Sequence, residues 1–207
     1  MSITLARSEL SLTYNTTDEI IAVAEAHLAM GKLGESETLC RHVLRENRKN
    51  ADAIAVLGLI AYRTGNSEQA RRMLMRAIEI APDTANHHFK LGEINYGCRD
   101  PEAAVAAYNS ALQCDPHSFK VLVNLGNTLL DLKKYNDAEE ASHRAIKLVP
   151  ESAEAHSNLG QAYLKQGRYA EALHVLNKST VLAPQRSDLL NNFGVIQQLI
   201  GDVDGAI

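Results

Sequence analysis

Glycine recurs at one fixed interval along most of the chain, and this interval constrains the fold more than any other feature of the sequence. Five of the 12 glycines are equally spaced, and each follows a large apolar residue: Gly58, Gly92, Gly126, Gly160 and Gly194. Alanine recurs at a constant distance after each glycine and proline closes each full period, at Ala70, Ala104, Ala138, Ala172 and Ala206 and at Pro82, Pro116, Pro150 and Pro184. Coincident recurrences of this kind indicate an array of structural repeats.

Each recurrence has a physical reason in a pair of packed helices. A glycine inside a helix costs about 1 kcal/mol relative to alanine, so its repeated use indicates that two helices approach closely there. The alanine that follows in each period supplies a matching small surface on the second helix. The prolines stand where a helix has to end. The sequence therefore predicts two antiparallel helices in every period, and no β-sheet.

Helix-capping signals stand at the starts of several predicted helices. Thr16 and Glu19 form a capping-box pattern before the first one. In Asp100-Pro101 the acid can cap a helix that begins with the proline. Three further caps are predicted, at Thr84, Ser118 and Ser152.

The stretch from Ala153 to Pro184 shows the repeat pattern most completely. Its characteristic residues are His156, Leu159, Gly160, Tyr163, Ala172, Leu176 and Pro184. The pattern resembles the tetratricopeptide repeat, a unit of about 34 residues that folds as helix, turn and helix. This resemblance extends over residues 17–207. It implies an all-α fold, a right-handed superhelical solenoid of helix-turn-helix repeats.

The same resemblance divides the chain into segments. Residues 1–16 are a lead segment without the period, and residues 17–207 are the repeat array. The repeats are predicted at 17–50, 51–84, 85–118, 119–152 and 153–186, with a partial sixth repeat at 187–207. The first repeat is degenerate, since Ala24 replaces the glycine and Ser36 the alanine. Terminal repeats commonly depart from the consensus in this way.

Charge and hydropathy exclude several classes of protein. The net charge of −4 lacks the basic surplus of a nucleic-acid-binding protein. The apolar runs are far shorter than the roughly 20 residues that span a bilayer, and the N-terminus lacks the pattern of a signal peptide. We therefore expect a cytoplasmic protein whose partners are neither nucleic acid nor membrane. Its residues form no recognisable catalytic or cofactor-binding motif, so we predict a non-enzyme without a cofactor.

Amide side chains recur on the face that would bind a partner. By the resemblance, the first helix of each repeat lines a concave groove, where the sixth residue of the repeat is exposed. That residue is asparagine in three successive repeats, with further amides on the same face: Asn124, Asn158 and Asn192, and beside them Asn127 and Gln161. An amide carries both a donor and an acceptor, so it can hold the backbone of an extended peptide. The alternative is that asparagine is simply a tolerated polar residue on a wet helix face.

This asparagine series resembles the one in the repeat region of O-linked N-acetylglucosamine transferases. The N-terminal half of the predicted groove has a different character, with aromatic and charged residues at the groove positions: Tyr62, Phe89, Lys90 and Tyr96. Aromatic side chains in a concave surface can anchor a partner. It is equally open that Tyr62 and Tyr96 pack between repeats instead.

A scaffold or adaptor that binds an extended protein segment is the function these features favour. Two alternatives stay open: the array recruits substrates for a larger enzyme such as a glycosyltransferase, or the protein self-associates. A finished solenoid needs a polar cap, whereas the last repeat stops at Ile207, just inside its second helix. We therefore expect either further chain or self-association through this uncapped end. Binding of an anionic chain terminus is disfavoured. The groove position that would need a basic residue for this purpose holds Asp188 instead.

Overall fold

The computed structural model describes residues 16–204, and every regular element in that range is an α-helix. The predicted all-α fold class is thereby confirmed. Residues 1–15 of the predicted lead segment and the C-terminal residues 205–207, on which the uncapped-end prediction rests, lie outside the described residues. The helices are α1 (Thr17–Ala29), α2 (Leu33–Glu46), α3 (Ala51–Arg63), α4 (Ser67–Ile80), α5 (Ala85–Gly97), α6 (Pro101–Cys114), α7 (Phe119–Asp131), α8 (Tyr135–Leu148), α9 (Ala153–Lys165), α10 (Tyr169–Leu182) and α11 (Ser187–Asp204).

The helices follow the period of the sequence. First helices begin at residues 17, 51, 85, 119, 153 and 187, so their starts are equally spaced and share the period of the glycines. From α4 onwards, each second helix ends two residues before a proline, as α4 does at Ile80 before Pro82. A proline cannot continue a helix and also disfavours helical geometry in the residue before it. The prolines therefore fix the ends of the second helices.

The chain folds into two compact units, which divide between Ile94 and Asn95 within α5. In the N-terminal unit, α1 packs on α2 and α3, α2 packs on α3, and α3 packs on α4. In the C-terminal unit, each helix from α6 to α11 packs on the next one in the chain. The first helices α7, α9 and α11 also contact one another in sequence. The C-terminal unit thus places three first helices side by side.

Each unit has its own apolar core between first and second helices. The core of the N-terminal unit includes Ala24, Leu28, Leu39, Cys40 and Val43. The core of the C-terminal unit includes Leu159, Tyr163, Ala172, Leu176 and Ile196. Both cores contain small residues, such as Ala24 and Ala172, beside larger ones.

The glycines of the periodic series face the partner helix in three hairpins. A Cβ atom on Gly160 would lie 2.5 Å from Leu176 Cγ, and one on Gly58 would lie 3.3 Å from both Ala70 O and Met73 Cβ. Around Gly126 the nearest atom would be Ser142 Oγ at 3.3 Å. Gly194 differs, since a Cβ there would meet no atom of the described residues within 4 Å. The predicted close approach therefore holds at three of these glycines, whereas the partner predicted for Gly194, at Ala206, lies outside the described residues.

A repeated backbone motif closes the first helices. In each hairpin turn, an N–H donates to the carbonyl five residues earlier, as Asp100 N does to Asn95 O at 3.0 Å. This is the Schellman motif, which needs a left-handed residue just before the donor. Glycine fills that place in three turns, and a basic residue with φ near +60° fills it in two: Gly31, Gly65 and Gly167, and Arg99 and Lys133.

Most of the predicted caps form. Thr16 and Glu19 make both hydrogen bonds of a capping box, Asp100 accepts from Ala103 N, and Ser152 accepts from Ala155 N. Ser118 stands before α7 without a side-chain cap hydrogen bond, so that prediction is wrong. The sequence interpretation missed one cap, at Asn50, whose side chain accepts from Ala53 N at 2.7 Å.

Two histidines tie a first helix to the proline that precedes it. His156 Nε2 lies 3.0 Å from Pro150 O, and His88 Nε2 lies 2.7 Å from Pro82 O. A carbonyl oxygen only accepts, so each imidazole donates from Nε2. Burial lowers the pKa of His156, against an opposing effect of the hydrogen bond to Pro150. Both histidines thus hold the turn between two hairpins.

Adding one methyl group at Gly160 should destabilise the protein. We expect Gly160→Ala to cost about 1–3 kcal/mol, because overpacking against the fully buried Leu176 outweighs the better helix propensity of alanine. Gly194→Ala is the matched control, and it should be neutral or stabilise by about 0.5–1 kcal/mol. Urea unfolding measures both changes. Equal effects at the two positions would show that the hairpin contact is not the reason for glycine at 160.

Substitution of the two basic residues that have left-handed backbone geometry should stabilise the protein. Arg99→Gly and Lys133→Gly should each stabilise the protein by about 0.5–1 kcal/mol, because left-handed geometry costs a residue with a Cβ atom roughly 1–2 kcal/mol. Arg99→Ala removes the same side chain but keeps the strained φ, so it should not stabilise. Thermal unfolding of the three variants separates relief of backbone strain from loss of a positive charge.

Candidate functional site

A polar pocket lies across the first helices of the C-terminal unit. It has a volume of about 250 Å³ and is lined by side chains of α7, α9 and α11 and of the turn before α11. We call it the amide pocket, after its five amide side chains. Its lining comprises Val123, Asn124, Asn127, Glu154, Ser157, Asn158, Gln161, Arg186, Asp188, Leu189 and Asn192. All five amides singled out in the sequence therefore meet at one place.

Asn158 lines the amide pocket and also links two helices. Its Nδ2 donates to Val123 O at 3.0 Å, from α9 to α7. The side chain is only 6% exposed. A Cβ atom on Gly126 would lie 3.4 Å from the Asn158 nitrogen, so the absence of a side chain at Gly126 leaves space for this amide. The predicted exposure of Asn158 is wrong, because the neighbouring helix covers most of the side chain.

Ser157 joins two further amides of the pocket. Asn192 Nδ2 and Gln161 Nε2 each lie 3.3 Å from Ser157 Oγ. The serine is 4% exposed, whereas Asn192 and Gln161 are half-buried. The sequence interpretation missed Ser157, because a single serine at a groove position differs in no visible way from a solvated one. Its role follows from the two amides that converge on it.

Asn127 donates to a tyrosine at the end of α5. Its Nδ2 lies 3.0 Å from the Tyr96 hydroxyl, which in turn donates to Asp131 Oδ2 at 2.7 Å. The hydrogen bond to Asp131, together with burial and the negative charge of that carboxylate, raises the pKa of Tyr96. Tyr96 does not line the amide pocket but a separate cavity beside Arg99, Pro101 and Asp131.

A charged cluster stands at the rim of the amide pocket. Arg186 Nη1 lies 2.8 Å from Glu154 Oε1, and Arg186 Nη2 lies 2.7 Å from Asp188 Oδ2. The hydrogen bond from Arg186 lowers the pKa of Asp188. The sequence interpretation treated Asp188 as a carboxylate without a compensating charge, which is wrong because it missed Arg186 in the turn between repeats. The three charges still sum to −1.

The residues predicted in the N-terminal half of the groove do not all meet. Tyr62 and Lys90 line a pocket of about 510 Å³ in the N-terminal unit, together with Glu25, Leu28, Ala29, Leu59, Arg63, Asn86, Glu93 and Ile94. Lys90 Nζ pairs with Glu93 at 3.0 Å and lies 5.2 Å from the centroid of the Phe89 ring. Phe89 itself is 7% exposed. The prediction that Phe89 offers its ring to a partner is therefore wrong, because the ring is buried.

A family model decides the classification. The model of the tetratricopeptide repeat matches residues 55–119 and 123–187, more than half of the chain. The chain belongs to the tetratricopeptide repeat family. The family predicted from sequence is thus confirmed, whereas the resemblance to the repeat region of the transferases stays a prediction.

Curated relatives match parts of this tetratricopeptide repeat protein. The type IV pilus assembly protein PilF of Pseudomonas aeruginosa is 37% identical over 87 residues, which cover 42% of this chain and 34% of that protein. DnaJ homolog subfamily C member 7 of Homo sapiens is 29% identical over 143 residues, which cover 58% of this chain and 28% of that protein. The matched region therefore spans about a third or less of each relative.

Solved structures of tetratricopeptide repeat proteins share the fold. The Pseudomonas aeruginosa PilF structure has a TM-score of 0.79 at 20% identity, over 96% of this chain and 88% of that one. YrrB, described as a TPR protein with an unusual peptide-binding site, has a TM-score of 0.70 at 17% identity, over 92% and 97%. MamA has a TM-score of 0.68 at 19% identity, over 83% and 94%.

Neither a membrane-spanning helix nor a metal-binding cluster is found among the described residues. Among residues 16–204, no helix is long and apolar enough to cross a bilayer. The same residues contain no group of three or more histidine, cysteine, aspartate or glutamate side chains that could hold a metal ion.

Replacing the Asn158 amide by a carboxylate should expose its structural role. Asn158→Asp would set a second acceptor against Val123 O, so we expect a loss of about 1–3 kcal/mol of stability at neutral pH. Since this contact disfavours the charged form, the folded-state pKa of the new carboxyl should be raised. The loss should therefore shrink as the pH falls through that raised pKa, where the carboxyl becomes a donor.

Asn191→Asp on the exposed face of α11 is the control for this variant, since it introduces the same charge without a facing carbonyl. Urea unfolding at pH 7.5 and pH 5 compares the two. Equal losses, or a loss that does not depend on pH, would contradict the link between Asn158 and Val123.

Proposed function

We propose that this protein is a non-enzymatic adaptor that holds an extended segment of another protein across the amide pocket. The observation that carries the proposal is the convergence of five amide side chains, from three successive first helices, on one cavity. Amides pair with the N–H and C=O groups of a peptide backbone. A site built from amide side chains can therefore bind a peptide segment through its backbone, whatever apolar side chains the segment carries.

The spacing of the helices fits an extended ligand. Packed helices lie about 8–10 Å apart, and an extended chain rises about 3.3 Å per residue. Amides on α7, α9 and α11 would thus meet the ligand at about every third residue. A segment of about seven to nine residues is long enough to reach all three helices.

The comparisons support a role in protein binding. Among the similar proteins, PilF is described as a pilus assembly protein and YrrB as having an unusual peptide-binding site. Both descriptions concern proteins in which similar helical hairpins recur. We extend to this chain only the general role, the binding of a protein segment.

Removal of two groove amides should weaken binding without unfolding the protein. Asn124 and Gln161 line the amide pocket, and neither side chain links two first helices directly in residues 16–204, so Asn124→Ala with Gln161→Ala should leave the fold intact. Each lost hydrogen bond should cost about 0.5–1.5 kcal/mol of binding. The matched control is Asn109→Ala with Gln113→Ala, the same substitutions on the exposed face of α6.

An array of nine-residue peptides finds ligands for this test, and calorimetry then measures the affinity of both double variants. Weaker binding by the pocket variant alone is the expected result. If no peptide binds the protein, or if both double variants bind as the wild type does, the amide pocket is not a peptide site.

The other functions predicted from the sequence remain open to experiment. Recruitment of substrates for a larger enzyme concerns chain beyond these residues. Self-association finds some support in α11, where Leu190 is 48% exposed and Val195 is 42% exposed. Sedimentation equilibrium over a range of concentrations distinguishes a self-associating protein from an adaptor that is monomeric without its partner.

A further inference from the structure

We infer that the amide pocket selects a segment that carries a basic side chain, arginine above all, and places its cationic group among the pocket's acceptors. The inference rests on the proposed peptide-binding function and adds a specificity to it. Backbone recognition alone would use donors and acceptors of the amides equally. The hydrogen bonds inside the pocket remove that balance.

Four of the five amides have their nitrogen committed to the protein. Asn158 donates to Val123 O, Asn127 donates to the Tyr96 hydroxyl, and both Gln161 and Asn192 donate to Ser157 Oγ. An amide has two N–H donors and two acceptor lone pairs. Each of these four therefore keeps one donor but both lone pairs of its oxygen. These four amides thus keep twice as many acceptor lone pairs as N–H donors, and Asn124 adds two of each.

For two of these amides, the hydrogen-bond partner decides whether the nitrogen or the oxygen of the amide faces it. Val123 O can only accept, so it requires Nδ2 of Asn158. The Tyr96 hydroxyl gives its one hydrogen to Asp131, so it can only accept from Asn127. These two amides cannot turn over without placing two acceptors against each other.

Ser157 orients the remaining two amides less strictly, because a hydroxyl can donate as well as accept. Its hydroxyl has a single hydrogen, so it could satisfy only one of two amide oxygens. It can accept from both amide nitrogens, and both lie 3.3 Å from Oγ. In the arrangement that the structure shows, Ser157 accepts from both nitrogens and is a positioning residue that turns the oxygens of Gln161 and Asn192 away from itself.

Charge at the rim favours the same ligand chemistry. Glu154 and Asp188 share the one guanidinium of Arg186, and their side chains are 53% and 59% exposed. Each carboxylate keeps lone pairs beyond those that Arg186 uses. An incoming guanidinium or ammonium group would balance the net charge of −1, whereas a carboxylate would increase it. Arginine has the further advantage of five N–H donors in a planar fork, which suits several acceptors at once.

The test uses capped nine-residue peptide mixtures whose central residue is arginine, lysine, norleucine or glutamate. The other positions are equimolar in glycine, serine, threonine and alanine. Binding to the full chain is followed by NMR of the side-chain amide signals of Asn124, Asn158 and Asn192, which lie in the pocket. We expect the arginine mixture to bind at least about tenfold more tightly than the norleucine mixture, with glutamate weakest.

Glu154→Gln with Asp188→Asn should reduce the preference for arginine over norleucine to about twofold. Glu140→Gln with Glu151→Gln is the control, since it removes the same charge from positions of the same unit outside the pocket lining. Ser157→Ala should weaken arginine binding without changing norleucine binding, because its effect is on the orientation of acceptors. Rescue by Ser157→Thr, which keeps the hydroxyl, distinguishes this effect from simple repacking.

The outcomes separate this inference from the proposed function. Equal affinity for all four mixtures would overturn the basic specificity and leave peptide binding intact. Tightest binding of the glutamate mixture would overturn it in favour of recognition by Arg186. Failure of every mixture to shift the pocket amides would overturn both the specificity and the peptide site.

Discussion

The close contact between the two helices of a hairpin is the constraint on which the rest of this structure depends. At Gly160 the space of a side chain is already taken by Leu176, so α9 and α10 approach each other more closely there than a larger residue would allow. Within the C-terminal unit, the first helices α7, α9 and α11 then contact one another in sequence. The convergence of amides from these three helices on one pocket follows from those contacts.

The groove amides serve the fold and the site together. Asn158 fills space left by Gly126 and links α9 to α7, so a residue that lines the pocket also holds two hairpins in register. This explains how a residue of poor helix propensity can stand in the middle of a helix. Asn192 does the same more weakly through Ser157. Selection for a stable array and selection for a binding site would act here on the same side chains.

Much of the fold follows from the sequence because its signals are local and repeated. A glycine, an alanine and a proline at constant intervals specify where helices pack and end, and the first helices begin at the interval that these residues predict. The five amides were found for the same reason. Their burial and hydrogen bonds were not predictable, because Asn158 is covered by a residue 35 positions earlier in the chain. Arg186 was missed because it lies in a turn, outside the periodic groove positions, and Phe89 because a periodic position does not reveal how deeply a ring is buried.

The hydrogen bond from Asn158 to the carbonyl of Val123 would couple ligand binding in the amide pocket to the contact between α7 and α9. Hydrogen bonds in a chain polarise one another, so a donor that engages the oxygen of this amide makes its N–H group a stronger donor to Val123 O. A bound segment would thereby strengthen the hydrogen bond that joins α9 to α7. Slower amide hydrogen exchange along both helices on ligand binding is the signature of that coupling. The rigidity of the contact between α7 and α9 would then depend on whether the amide pocket is occupied.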